Sequence, residues 1–150
     1  MSAFRIAEKG QAAVEFTLVF ILLIIVTWIP ADFGLAFYTG QLALNASRDG
    51  ARIAAAERTL PTMPTWCDMP CTSGHELLQQ TAKRLSQALL PGARITLSSE
   101  DLGTCNTNVV MRVQGNYNFF FYRLLNYFGW GGENTVNIDR ISKMRWEHQC

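Results

Sequence analysis

Few side chains in this sequence are placed to do chemistry, and Glu15 has the most unusual setting of them. It precedes sixteen residues, Phe16 to Ala31, without one ionisable side chain, and Asp32 is the next charge. Ala12 to Ala31 makes twenty residues, about 30 Å of helix, enough to cross a bilayer. A carboxylate within such a span costs up to about 2.5–3.5 kcal/mol, the insertion-scale value at its centre, unless it is paired. The chemistry it offers is ion pairing: an ammonium group at the same depth would cancel both penalties. The alternative is a glutamate resting at headgroup level.

Four cysteines, Cys67, Cys71, Cys105 and Cys150, are the other reactive set. In a small exported domain they predict disulfides. Of the three pairings, the favoured one joins Cys67 to Cys71 across a proline-bearing loop and Cys105 to Cys150. The second link closes a long loop, worth about 3–4 kcal/mol in the chain-entropy model. A metal site from Cys67, Cys71 and His75 has non-standard spacing and is not expected. The two histidines, His75 and His148, lie far apart, and Glu100-Asp101 fits a hairpin or Asx turn. With no phosphate loop, HExxH or nucleophile elbow in the sequence, neither an enzyme nor a cofactor is expected.

Composition narrows the class. The chain has 150 residues, 49% of them hydrophobic and 17% charged, with a net charge of +1. From Gln11 onward it carries eleven charges of each sign. That balance offers nothing to neutralise phosphates and excludes a nucleic-acid partner. One small domain behind one membrane segment is the simplest organisation.

The elements that must position these residues follow in order. Residues 1–10 form a short leader with Arg5 and Lys9, so the positive-inside rule puts the N-terminus in the cytoplasm and the head outside. An ordinary signal peptide is the rival, with only a poor small-x-small site between Ala31 and Ala36. Residues 11–32 form the span, kinked by Pro30 near the outer leaflet, with Asp32 marking the exit to water. Residues 33–58 continue the helix, with Leu35, Tyr38, Leu42, Ala46, Ile53 and Ala56 at helical spacing. Small residues crowd the rest of it, and Gly40 and Gly50 need close packing to offset their poor helix propensity. Arg48, Asp49, Arg52, Glu57 and Arg58 fit a solvated face.

Residues 59–150 make the head. Thr59–Thr72, with Pro61, Pro64 and Pro70, is expected as a loop. Ser73-Gly-His-Glu76 predicts a capping box opening an amphipathic helix that Pro91-Gly92 stops. Ala93–Ser98, Thr107–Tyr117 and Thr135–Trp146 alternate as strands, with Val109, Met111 and Val113 on one face. The expectation is an α+β fold: a long N-terminal helix, one head helix and an antiparallel sheet of about three strands. Tyr117–Trp130 is too apolar for a loop. Phe119, Phe120, Phe121, Tyr122 and Trp130 are candidates for core or subunit contact first, and for membrane-surface or adhesive contact second.

Gly10 followed by a hydrophobic helix with Glu15 resembles the prepilin-peptidase signature of type IV pilins. Gly10-Gln-Ala-Ala-Val-Glu-Phe-Thr-Leu-Val, with Ala46-Ser-Arg-Asp-Gly-Ala-Arg-Ile-Ala-Ala55 after the span, is similar to the TadE-type pseudopilins of tight-adherence (Flp) pili. The resemblance covers Lys9 to about Ala56, with an echo in Asn134–Glu147. It implies a cut between Gly10 and Gln11, a Glu15 that meets a neighbouring subunit's terminal amine, and a Pro30 that lets the helix stretch. It further implies a minor pilin or pseudopilin of the bacterial inner membrane with a periplasmic head. Its partners would be prepilin peptidase, other pilins and the assembly platform. The alternative is an unprocessed single-pass protein whose head binds a ligand or surface.

Overall fold

The computed structural model of the protein describes residues 3–72, 74–86, 88, 90–103, 106–127, 129 and 131–147, with side chains from Gly10 onward except those of 124 and 125. The elements are α1 (Ala3–Ala56), β1 (Thr65–Asp68), α2 (Glu76–Leu85), β2 (Arg94–Asp101), β3 (Thr107–Asn118), α3 (Phe120–Tyr127) and β4 (Thr135–Arg145). The fold is α+β: one long helix carrying a head with an antiparallel sheet in the order β1-β2-β3-β4.

α1 is a single helix of 54 residues that starts at Ala3 and runs through Pro30. Every residue from Gly10 to Ala31 is exposed to the surroundings. Thr17 and Thr27 return their hydroxyls to the backbone, donating to the carbonyls of Ala13 and Leu23 at 2.8 Å each. Along this stretch the helix presents large apolar side chains and keeps its polar groups bonded to itself, which a hydrocarbon surrounding requires.

From Thr39 the same helix changes surface. Ala43, Ala46, Ala51, Ala54 and Ala55 are buried, together with Thr39 and Ser47. The docked face is therefore the small-residue face, whereas Leu35 and Tyr38, expected to lead the apolar stripe, are exposed. Small side chains let backbones approach, and the approach is closest at Gly50. A methyl group built there would lie 2.5 Å from Thr81 Oγ1 of α2. Ser47 and Ser142 of β4 share a buried hydrogen bond of 2.9 Å, so both hydroxyls are satisfied within the interface.

The sheet lies against α1 and α2 through Ile95, Leu97, Val109, Met111, Val113 and Ile138, all buried. The alternation expected in β3 is observed, with Val109, Met111 and Val113 inward. The outward face carries exposed Trp66 and Ile141 among charges that pair across strands. Arg112 donates through Nε to Asp139 Oδ1 at 3.0 Å, Lys143 to Glu100 at 2.6 Å and Arg94 through Nε to Asp68 at 2.8 Å. The Arg112 hydrogen bond holds the Asp139 carboxyl below its ordinary range against the opposing effect of burial.

Two expectations need correction. Thr65–Asp68, expected within a loop, pairs with β2 as a fourth strand, Cys67 opposite Ile95. Its four residues are framed by prolines, and only pairing with a longer strand gives so short a segment its geometry. α2 begins at Glu76 with His75 as its cap, whose Nδ1 accepts from Leu77 N at 3.4 Å. Ser73, expected as the cap, lies outside the described residues. α2 also ends at Leu85, five residues earlier than expected. Pro91-Gly92 instead makes the turn into β2, with Gly92 at φ 67°.

The C-terminal end of α1 is closed from the other end of the chain. Glu147 N donates to Ala55 O at 3.1 Å, and the indole of Trp146 to Glu57 O at 2.7 Å. These donors satisfy carbonyls that a helix end leaves without partners.

Replacing Gly50 by alanine tests the close approach. Helix propensity alone would stabilise by about 1 kcal/mol, but the clash with Thr81 should turn this into a net loss of about 1–2 kcal/mol. Denaturant unfolding of the protein in detergent reads the difference. Thr81→Ala in the same chain should recover most of it, and Gly34→Ala, with nothing within 4 Å of the added methyl, should not destabilise.

Candidate assembly and anchoring site

The N-terminal chemistry stands on a bare helix. Gln11 Nε2 donates to Glu15 Oε1 at 3.0 Å, one turn apart. Both side chains are exposed, so the carboxylate remains open to a further donor. A methyl group built on Gly10 would meet nothing within 4 Å. Among the described residues no packing requires a glycine there.

At the other end of the apolar stretch the structure assembles a site that the sequence does not announce. Asp32 is buried, 6% exposed. Its Oδ1 accepts from Phe120 N at 3.1 Å and from the hydroxyl of Tyr117 at 3.3 Å, while Oδ2 accepts from Phe121 N at 2.8 Å. The expectation that Asp32 marks the exit to water is therefore corrected. Its carboxylate caps the N-terminus of α3 from a residue 88 positions away. The free N–H groups of a first turn and the positive end of the helix dipole both favour a carboxylate there. Burial, then the charge of Asp32 beside it, pushes the Tyr117 phenol above its ordinary value near 10.

Aromatic rings enclose this cap. Phe120 meets Trp28 edge-on with centroids 5.5 Å apart, and Phe119 lies 5.4 Å from both Phe33 and Tyr117. Tyr122 lies 5.8 Å from Phe119. Phe119 is partly buried against the core, and Phe120 remains 62% exposed. The stretch expected as an aromatic insertion is thus a short helix held against α1 where the bare segment ends. Trp130 lies outside the described residues.

These sites are separate. From Glu15 to Asp32 α1 advances about 26 Å, so the Glu15 carboxylate and the aromatic cap occupy opposite ends of the apolar stretch. The disulfide belongs to neither. Cys67 and Cys71 are bonded, with Cα atoms 5.5 Å apart, as expected. Cys105 and Cys150 lie outside the described residues.

Removing the carboxylate should loosen α3. Asp32→Ala leaves two amide donors without their acceptor and should cost about 1–2 kcal/mol, the usual loss of a helix cap, seen in urea unfolding. The phenol gives a pH signature. A raised pKa means that Tyr117 supports the fold fully below about pH 10 and loses that support as pH climbs through its folded value. Stability measured upward from pH 9 should therefore fall less steeply in Tyr117→Phe than in the parent.

No curated protein and no solved structure matches the chain. The segment of α1 from Gly10 to Arg52, which holds Glu15, the bare apolar stretch, Asp32 and most of the docked small-residue face, matches the family model of TadE-like proteins, the family the sequence resembles.

Proposed function

We propose that the protein is a minor pilin or pseudopilin of a Tad-type (Flp) pilus, cut between Gly10 and Gln11 and built into the assembly through α1. The observation that carries the reading is the family match itself, which starts at Gly10 and runs through the apolar segment into the docked helix. Residues 1–10 are the cytoplasmic leader, residues 11–32 the span, and residues 33–58 the continuation on which the periplasmic head of residues 59–150 is mounted. The precursor resides in the bacterial inner membrane.

Three features support the roles within this scheme. Among the described residues Gly10 meets no neighbour that would exclude a side chain, and we assign this glycine to recognition by a prepilin peptidase. Cleavage leaves Gln11 with a terminal ammonium, and Glu15 offers an exposed carboxylate to the ammonium of another subunit. Pairing removes the penalty each charge carries in lipid and sets the axial register of neighbouring helices. Pro30 lacks the amide hydrogen that would bond one turn back, so the helix is weakest where it leaves the span. The protein is then a structural subunit whose partners are other pilins and the assembly platform.

The test is the intact mass and N-terminal residue of the protein purified from its own membranes. A chain starting at Gln11 supports the processed subunit. An intact leader overturns it in favour of an unprocessed membrane protein with a binding head, and a start near Asp32 would mean ordinary secretion. In the processed case, Glu15→Gln should leave cleavage intact and reduce incorporation into sheared pili by tenfold or more, since about 1.4 kcal/mol corresponds to a factor of ten.

A further inference from the structure

We propose that α3 is an interfacial helix, lying in the outer headgroup layer and held at that depth by the carboxylate of Asp32. This rests on the reading of residues 12–31 as the span. If that segment fills the hydrocarbon, its outer boundary falls at Ala31–Asp32, and Trp28 lies about 5 Å inside it. Phe120 touches Trp28, and the first two amides of α3 are bonded to Asp32. The first turn of α3 is therefore held beside the end of the apolar segment. Its depth is set by contact with residues whose own depth the span determines.

The composition of α3 suits that position. Phe120, Tyr122 and Tyr127 are 62%, 40% and 86% exposed, too much aromatic surface to be accounted for by the head's own core. Aromatic rings with a polar edge concentrate where hydrocarbon meets headgroups, and an arginine such as Arg123 can reach outward to phosphates. A cleft of about 160 Å³ between the two helices is lined by Trp28, Ala31, Asp32, Leu35, Phe120 and Phe121. It opens beside the apolar segment, so the surface of α3 continues the surface that lipid already covers. The occupant is the lipid surface, and the head is thereby held against the membrane instead of swinging about the end of the span.

The test uses the full chain in phosphatidylcholine–phosphatidylglycerol nanodiscs. A spin label on a genetically encoded keto amino acid is placed at position 127, 20 or 63, leaving the cysteines untouched. Collision with oxygen, enriched in lipid, and with a water-soluble nickel chelate is measured at each. The label at 20 should favour oxygen, and the label at 63 should favour nickel. At 127, nickel collision should be several-fold lower than at 63 and oxygen collision lower than at 20. A label at 127 as open to nickel as that at 63 overturns the proposal. So does one shielded from both reagents, which would place a second copy of the chain on α3. If the label at 20 is itself open to nickel, the span reading fails first, and the two failures are distinct. Asp32→Ala should raise nickel collision at 127 toward the value at 63, and no change would overturn the role of the carboxylate as the tether.

Discussion

The structure depends on how closely the second half of α1 approaches the head. Helix and sheet each need a partner surface, and here the helix offers alanine, serine and glycine where a typical amphipathic helix offers leucine. Little apolar area is buried per residue, so the stability of the contact comes from backbone proximity and from packing without voids. Gly50 against Thr81 and Ser47 against Ser142 are the points where the approach is tightest. A close contact between rigid elements tolerates little change, and it gives the head one seat on the helix.

Asp32 extends that rigidity to the end of the bare apolar stretch. A carboxylate at the end of an apolar helix has two ways to be satisfied: water, or donors supplied by the protein. The fold supplies donors, two amides of α3 and a phenol. The charge thus becomes a joint between two elements far apart in sequence. Without α3 it would be an ordinary solvated aspartate, and without Asp32 the aromatic helix would lose the acceptor of its first two amides.

The two halves of α1 illustrate one solution to serving two surroundings with one helix. The first half carries side chains chosen by size and apolarity, with threonine hydroxyls turned back on their own backbone. The second half carries side chains chosen for smallness on one side and charge on the other. The outer face of the sheet carries charges paired across strands, with Trp66 and Ile141 exposed among them. Such exposed pairs contribute little stability individually, but they leave the outward face of β2, β3 and β4 well solvated.

Much of this was legible in the chain itself. Twenty residues without a charge beyond Glu15, the alternation in β3, the cysteine ring at Cys67–Cys71 and the long helical continuation are local signals, set by period, length and spacing. The resemblance rested on Gly10, Glu15 and the Ala46–Ala55 segment, all within one helix. The short strand Thr65–Asp68, the identity of the docked face and the role of Asp32 were not legible, because each depends on a partner distant in sequence. β1 exists because β2 lends it a ladder, and the small-residue face won over Leu35 and Tyr38 because the sheet and α2 come too close for larger side chains. Asp32 looked like a water-exposed marker because nothing within a turn of it donates a hydrogen bond. Its donors arrive from 85 to 89 positions away, and only the tertiary fold brings them within reach.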